Sequence, residues 1–300
     1  MNWKMIDEIK KSPKRLVSPI WGGEKVFHFL CLGHLDLSKA LGFELEKVSD
    51  SLTIVKEGQI TTEEELNYLI QKKEFDVSCF ESELQCLKGM LKDQEEMGKN
   101  DYWCGGGAFG PLTVVSGILG AEHMLRLVVK NPEFVERFVA YITDWLIGLA
   151  KRETQEGQEF FWIAEPVASL LAPKRFWRFS GQYLQKIFKA ADVPGMLHVC
   201  GKTLAHTTYL EQTGAQVLSI DYCTDIGECI RMVSPETIIM GNVSPVNLRE
   251  GTTSDVRKEV KEILRVCEGY PNFVLGTGCS IIGGTPDENM QVLFDVVNGK

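Results

Sequence analysis

From residue 159 onward the chain repeats one pattern: a short apolar run, a break, and then a segment with helical spacing. The runs are "EFFWIAEP" (159–166), "VPGMLHVC" (193–200), "AQVLSID" (215–221), "ETIIMGN" (236–242) and "NFVLGTGC" (272–279). Each is strand-length and bounded by Gly, Pro, Asn or an acidic residue. Between them, "PKRFWRFSGQYLQKIFKAAD" (173–192) carries Phe176, Phe179, Tyr183, Ile187 and Phe188 at helical spacing. "KTLAHTTYLEQTG" (202–214), "TDIGECIRMV" (224–233) and "TSDVRKEVKEILRVCEG" (253–269) read as further helices. Strands that alternate with helices in this way build a parallel sheet, because each crossover must return the chain to the same end.

The first half is richer in helix. Helices are predicted over 61–73, 82–98 and 131–157, the last opened by Asn131 and Pro132. Strands are predicted in "RLVSPIWG" (15–22), "EFDVSCF" (74–80) and "DYWCGG" (101–106), which brings the strand candidates to eight. Eight strands and eight helices in 300 residues predict a (β/α)8 TIM barrel of the α/β class with extra N-terminal helical elements. An open doubly wound sheet is the alternative. No linker or repeat interrupts the chain, so residues 1–300 are expected to form a single domain. The final helix is expected to begin at "TPDENM", with Thr285 as its cap, Pro286 in the first helical position and Glu288 completing a capping box.

Composition excludes some functions. A net charge of −9 argues against a nucleic-acid surface, which requires clustered Lys and Arg. No run approaches the roughly 18 consecutive apolar residues of a membrane span. "MNWKMIDEIKKSPKRLVSP" lacks the apolar core of a signal peptide, so a cytoplasmic chain is expected. Nine cysteines, an odd number, are then buried hydrophobes or metal-binding or reactive thiols rather than a disulfide framework.

His198 and Cys200 end one predicted strand, and residues two apart point to the same face. Cys279 ends another, in the glycine-rich "LGTGCSIIGG". In a barrel, chemistry gathers at the C-terminal ends of the strands. One imidazole and two thiolates suit zinc, and three protein ligands with an open position are the pattern of catalytic zinc. The competing reading is a core histidine beside core cysteines. Asp221 ends the next strand, as a fourth ligand, a group orienting His198, or a cap for the helix that follows. Glu165 closes "FFWIAEP" at a strand mouth and is the second candidate catalytic residue. Cys223 is a rival thiol. "GGGAFG" (105–110) matches G-x-G-x-x-G by letter only, since Pro111 follows, and is read as a strand-end loop lining the mouth. His206 falls on the helix after the His/Cys strand and is read as ordinary.

Three signatures, "D-x-x-T-D" (221–225), "GN-V-x-P" (241–245) and "TP-x-EN" (285–289), together with "FGPLTVVSGILG" upstream, resemble the uroporphyrinogen decarboxylase superfamily. The resemblance runs from about residue 100 onward. The decarboxylases grip a tetrapyrrole's propionates with an N-terminal arginine-rich motif, whereas residues 18–42 here contain no arginine. "H-x-C … C" instead resembles the corrinoid-dependent methyltransferases of the superfamily. That resemblance implies a Zn2+ held by His198, Cys200 and Cys279. It also implies methylcobalamin or another methylated corrinoid, carried by a corrinoid protein, as donor, and a small thiol such as coenzyme M as acceptor. More distantly similar cobalamin-independent methionine synthases have a glutamate ligand near the place of Asp221. The other expectations are a decarboxylase-like lyase acting on a small acid, and a non-catalytic corrinoid- or metal-binding module.

Overall fold

Among the described residues, short apolar strands packed between amphipathic helices produce two separate cores, one inside the sheet and one outside it. The computed structural model describes residues 103–299 without a break and, before them, 6, 9, 17–18, 27–29, 34–49, 52–56, 58–72 and 80–96. Strands β1 (Val17–Ser18) and β2 (Phe27–Phe29) are followed by helix α1 (His34–Ala40) and an antiparallel hairpin, β3 (Leu45–Ser49) with β4 (Leu52–Val55). Helices α2 (Glu63–Lys72) and α3 (Glu81–Glu96) complete the N-terminal additions. Next come β5 (Trp103–Phe109), α4 (Pro111–Leu119), α5 (Ala121–Lys130) and α6 (Pro132–Gln155). Strand β6 (Phe160–Ala164) leads into α7 (Pro173–Phe176), a π-helical turn at Trp177–Gly181, and α8 (Gln182–Ala191). The remaining units are β7 (Gly195–Val199) with α9 (Thr207–Gln212) and β8 (Val217–Ile220) with α10 (Ile226–Met232). After them come β9 (Ile238–Val243) with α11 (Pro245–Glu250) and α12 (Thr253–Val266), and β10 (Phe273–Thr277) with α13 (Asp287–Val297).

Among the described residues eight strands pair in the order β1-β10-β9-β8-β7-β6-β5-β2, every pair parallel. This is the strand order of a (β/α)8 barrel written out from β1 to β2. Period-2 alternation divides its side chains. Phe160, Trp162, Met196, Val217, Ile238, Met240 and Val274 fill the interior together with Ile6 and Ile9. Phe161, Ile163, Leu197, Val199, Leu218, Ile220, Ile239 and Leu275 pack outward against the helices. Along the interior columns the residues turn polar toward the C-terminal ends: His198 above Met196, Ser219 above Val217 and Asn242 above Met240.

The local signals fared unevenly. Asn131 caps α6 by accepting the Phe134 N–H, with Pro132 in the first turn, as predicted. The capping box predicted for α13 does not form, because the Thr285 hydroxyl donates to the Ile282 carbonyl instead. A capping box does open α12, between Thr252 and Asp255. "GGGAFG" is not a loop: Gly105–Phe109 is strand. A Cβ at Gly107 would lie 2.1 Å from the Trp162 carbonyl oxygen, so the glycines let β5 lie close against β6 and its large rings. Residues 27–29 form a barrel strand that the sequence did not suggest. Of the strand expected at 74–80, residues 74–79 lie outside the described residues and Phe80 opens the turn into α3. Among the described residues no single helix is long and apolar enough to cross a membrane.

Candidate metal centre

Strand β7 points Met196 into the barrel, so His198 and then Cys200, just past the strand end, follow on the same face. Strand β8, paired with β7 so that Ser219 lies opposite His198, places Asp221 just past its own end. Two strands further round, β10 ends at Thr277 and the chain turns at Gly278 to bring in Cys279. Gly278 is required for the close approach: a Cβ there would lie 2.4 Å from the Tyr222 backbone nitrogen. One ligand atom from each of His198, Cys200, Asp221 and Cys279 falls within 4.8 Å of all the others.

The spacing suits a tetrahedral cation. Two Zn–S bonds of about 2.3 Å at the tetrahedral angle separate their sulfurs by ~3.8 Å. The Cys200 and Cys279 sulfurs are 3.8 Å apart, well beyond the ~2.05 Å of a disulfide. His198 Nε2 lies 3.1 Å from Cys200 Sγ. His198 and Asp221 are buried and the two cysteines are half-buried, so the cluster is open on the thiol side. The cysteines titrate as a pair. The hydrogen bond from Cys200 draws the Cys279 thiol well below its ordinary value. The same contact, with burial, pushes Cys200 up. A divalent cation bound between the two sulfurs would deprotonate both.

The loops that carry the cluster are stapled together. Thr224 Oγ1 accepts the Thr203 N–H at 2.8 Å and donates to the Gly201 carbonyl at 2.8 Å, joining the loop after β7 to the loop after β8. Asn242 Nδ2, on β9, donates to the carbonyls of Asp221 and Thr224. Thr224 belongs to the "D-x-x-T-D" signature and Asn242 to "GN-V-x-P". Asp225, not Asp221, caps α10, by accepting the Glu228 N–H. Asp221 Oδ1 accepts the Cys223 N–H at 2.7 Å, and its carboxylate remains within the cluster.

Glu165 is fully buried but lies outside the four-residue cluster. Its carboxylate accepts the N–H groups of Leu112 and Thr113, the Thr113 hydroxyl and the Ser180 hydroxyl. It therefore caps the N-terminus of α4, where Gly110 has no side chain to do so and has no room for one. Burial pushes its pKa up to about 7 against the pull of those donors. Its backbone N–H donates to the His198 carbonyl, so it steadies the neighbouring strand end. Cys223 is exposed and contributes no atom to the cluster. His206 lies in the short turn Leu204–His206 before α9 rather than on the helix, and its Nε2 donates to the Leu171 carbonyl. Two residues the sequence did not single out contact His198. Trp162 stacks on its ring at 6.1 Å, and Ser219 lies within hydrogen-bond distance of Nδ1. Only the alternation that puts Ser219 on the same face as Asp221 pointed to it.

Residues 22–299 match the family described as uroporphyrinogen decarboxylase (URO-D). The chain is 27% identical over 184 residues to a methylated-thiol–coenzyme M methyltransferase of Methanosarcina mazei, covering 60% of this chain and 49% of that protein. It is 30% identical over 192 residues to a methylcobamide:CoM methyltransferase of Methanosarcina barkeri, covering 63% of this chain and 56% of that one. The matches thus span about half the length of these curated relatives. A solved methyltransferase from Methanosarcina mazei shares the fold with a TM-score of 0.80, over 99% of this chain and 97% of that chain at 21% identity.

Proposed function

The chain belongs to the uroporphyrinogen decarboxylase family, and within it we propose a zinc-dependent methyltransferase. It moves a methyl group from a methylated corrinoid, presented by a corrinoid protein, to a small thiol such as coenzyme M. The observation that carries this reading is the convergence of one imidazole, two cysteine sulfurs and one carboxylate at the ends of three strands. The names of the similar proteins support it. His198, Cys200 and Cys279 would hold the zinc with Asp221 as the fourth donor. When bound, the zinc would keep the acceptor's sulfur deprotonated near neutral pH, where a free thiol with a pKa near ~8.5 is mostly protonated.

The chain's own residues set the rest. Cys200 and Cys279 are soft, negatively charged donors, so the centre withdraws little electron density from an acceptor sulfur. The Asp221 carboxylate is the hardest donor of the four and the one an entering thiol would replace. The methyl carbon then forms a bond to sulfur while its bond to cobalt breaks, with the bonding pair left on the corrinoid. Glu165 serves as a positioning group, holding the α4 terminus and the His198 strand end together. The exposed Leu170, Tyr222 and Val246, on segments following β6, β8 and β9, lie at the same end of the barrel as the cluster and suit docking of a large donor.

Metal analysis tests the proposal. Protein purified without added metal is expected to contain close to one zinc per chain, and Cys200→Ser and Cys279→Ser to lose most of it. The wild type is expected to transfer methyl from methylcobalamin to one of a panel of small thiols, and the variants are not. Full metal content and activity in both variants would overturn the reading.

A further inference from the structure

Resting on that metal reading, we infer that Ser219 is the positioning residue that aims His198 at the metal. His198 Nδ1 lies 3.0 Å from Ser219 Oγ and 3.2 Å from the Ser219 carbonyl oxygen. A carbonyl can only accept, so the ring proton resides on Nδ1 and is shared between the two oxygens of Ser219. Nε2 is left with its lone pair turned toward Cys200, 3.1 Å away, where the other donor atoms converge. Trp162, with its ring plane 13° from that of the imidazole, restrains rotation from the side. A metal-bound histidine commonly has its second nitrogen fixed by such an outer partner, which sets both tautomer and orientation. Asp221 does not take this role, because its carboxylate is itself one of the converging donors. Both groups of the pair are buried, Ser219 being 3% and His198 4% exposed, so water offers Nδ1 little alternative.

The assignment follows from register. Ser219 is the β8 residue opposite His198 on β7, so the two meet on the interior face wherever this pairing forms. A serine hydroxyl can rotate to accept from Nδ1 while the ring stays neutral, whereas a carboxylate there would draw the proton and add charge to the centre.

The test compares Ser219→Ala, Ser219→Thr and Ser219→Val with the wild type. Threonine keeps the hydroxyl, and valine keeps threonine's bulk without it. In metal-free wild type, long-range proton–nitrogen NMR is expected to show His198 protonated at Nδ1, and in the alanine and valine variants a mixture of tautomers. Zinc affinity, measured by competition with a chromophoric chelator, is expected to fall about 10-fold in both and to be retained in the threonine variant. That is the low end of the roughly 10–100-fold of such outer partners, because the carbonyl remains. Circular dichroism checks that each variant is folded, and the threonine–valine pair decides the matter even if the alanine variant fails to fold. Equal zinc affinity and tautomer in the threonine and valine variants would overturn the inference and leave the metal reading standing. A folded wild type that binds no zinc would overturn both.

Discussion

Glu153, in the last turn of α6, is 3% exposed, and its Oε2 has no hydrogen-bond partner among the described residues. A Cβ on Gly106 of β5 would lie 2.4 Å from this carboxyl, so the strand leaves it just enough room. Burial, with the nearby charge of Glu83, raises its pKa well above the ordinary 4.5. A group whose folded pKa is raised binds its proton more tightly in the native state, so its contribution to stability is full below the unfolded value and is lost as pH rises through the folded one. Glu153→Gln keeps the shape and removes the titration. The difference in urea midpoint between variant and wild type should therefore shift in the variant's favour between pH 5 and pH 8. A difference that stays constant with pH would show that Glu153 does not change protonation in that window. The comparison isolates Glu153 because the other shifted groups, Glu165 and the paired thiols Cys200 and Cys279, are unchanged between the two proteins.

Strand β5 is the element that most depends on missing side chains. Gly105 faces Phe160 and Gly107 faces Trp162, and an added Cβ would meet the backbone carbonyl oxygen of each at 2.5 Å and 2.1 Å. Backbone in the middle of a paired strand cannot swing aside, so Gly107→Ala should cost about 3 kcal/mol, at the upper end of overpacking penalties. Gly148, within α6, gives the opposite sign: nothing lies within 4 Å of its added Cβ, and Gly148→Ala should stabilise by about 0.5–1 kcal/mol through helix propensity. Equilibrium urea unfolding of the two variants checks both signs at once. The opposite pair of outcomes would mean that β5 does not run beside β6 in this register.

At the scale of the molecule, the cluster joins the ends of β7, β8 and β10, and so closes a loop of chain between residues 198 and 279. A ligand that binds only the folded arrangement stabilises it by RT ln(1 + [L]/Kd), about 4 kcal/mol at a thousandfold excess over Kd. Chelation is therefore expected to lower the melting temperature by several degrees, and restored zinc to recover it. Cys279→Ser should melt at the same temperature with and without zinc. A wild type equally indifferent to zinc would separate the cluster from any structural metal.

Much of this was legible in the residues themselves. The strand runs from 159 onward and their helices could be placed because side-chain periodicity and Gly/Pro punctuation are local properties. Part of the cluster is legible for the same reason: alternation alone puts His198 and Cys200 on one face. Where the side chains carry no periodicity, the reading failed. The strand predicted over 101–106 runs on to Phe109, an extension hidden because glycines have no side chain to alternate, and the close packing that requires them is made by Phe160 and Trp162, more than fifty positions away. Glu165 was rightly placed at a strand end, yet its engagement by Thr113, 52 residues earlier, could not be read from sequence. The sequence alone thus determined which chemical groups stand at the strand ends and which face each one takes. Only the tertiary structure decided that Cys279 meets Cys200 across 79 residues, and that Ser219 stands opposite His198. The local pattern restricts which face each strand buries, but strand order and partner register are completed by hydrogen bonds and packing between segments far apart in the chain.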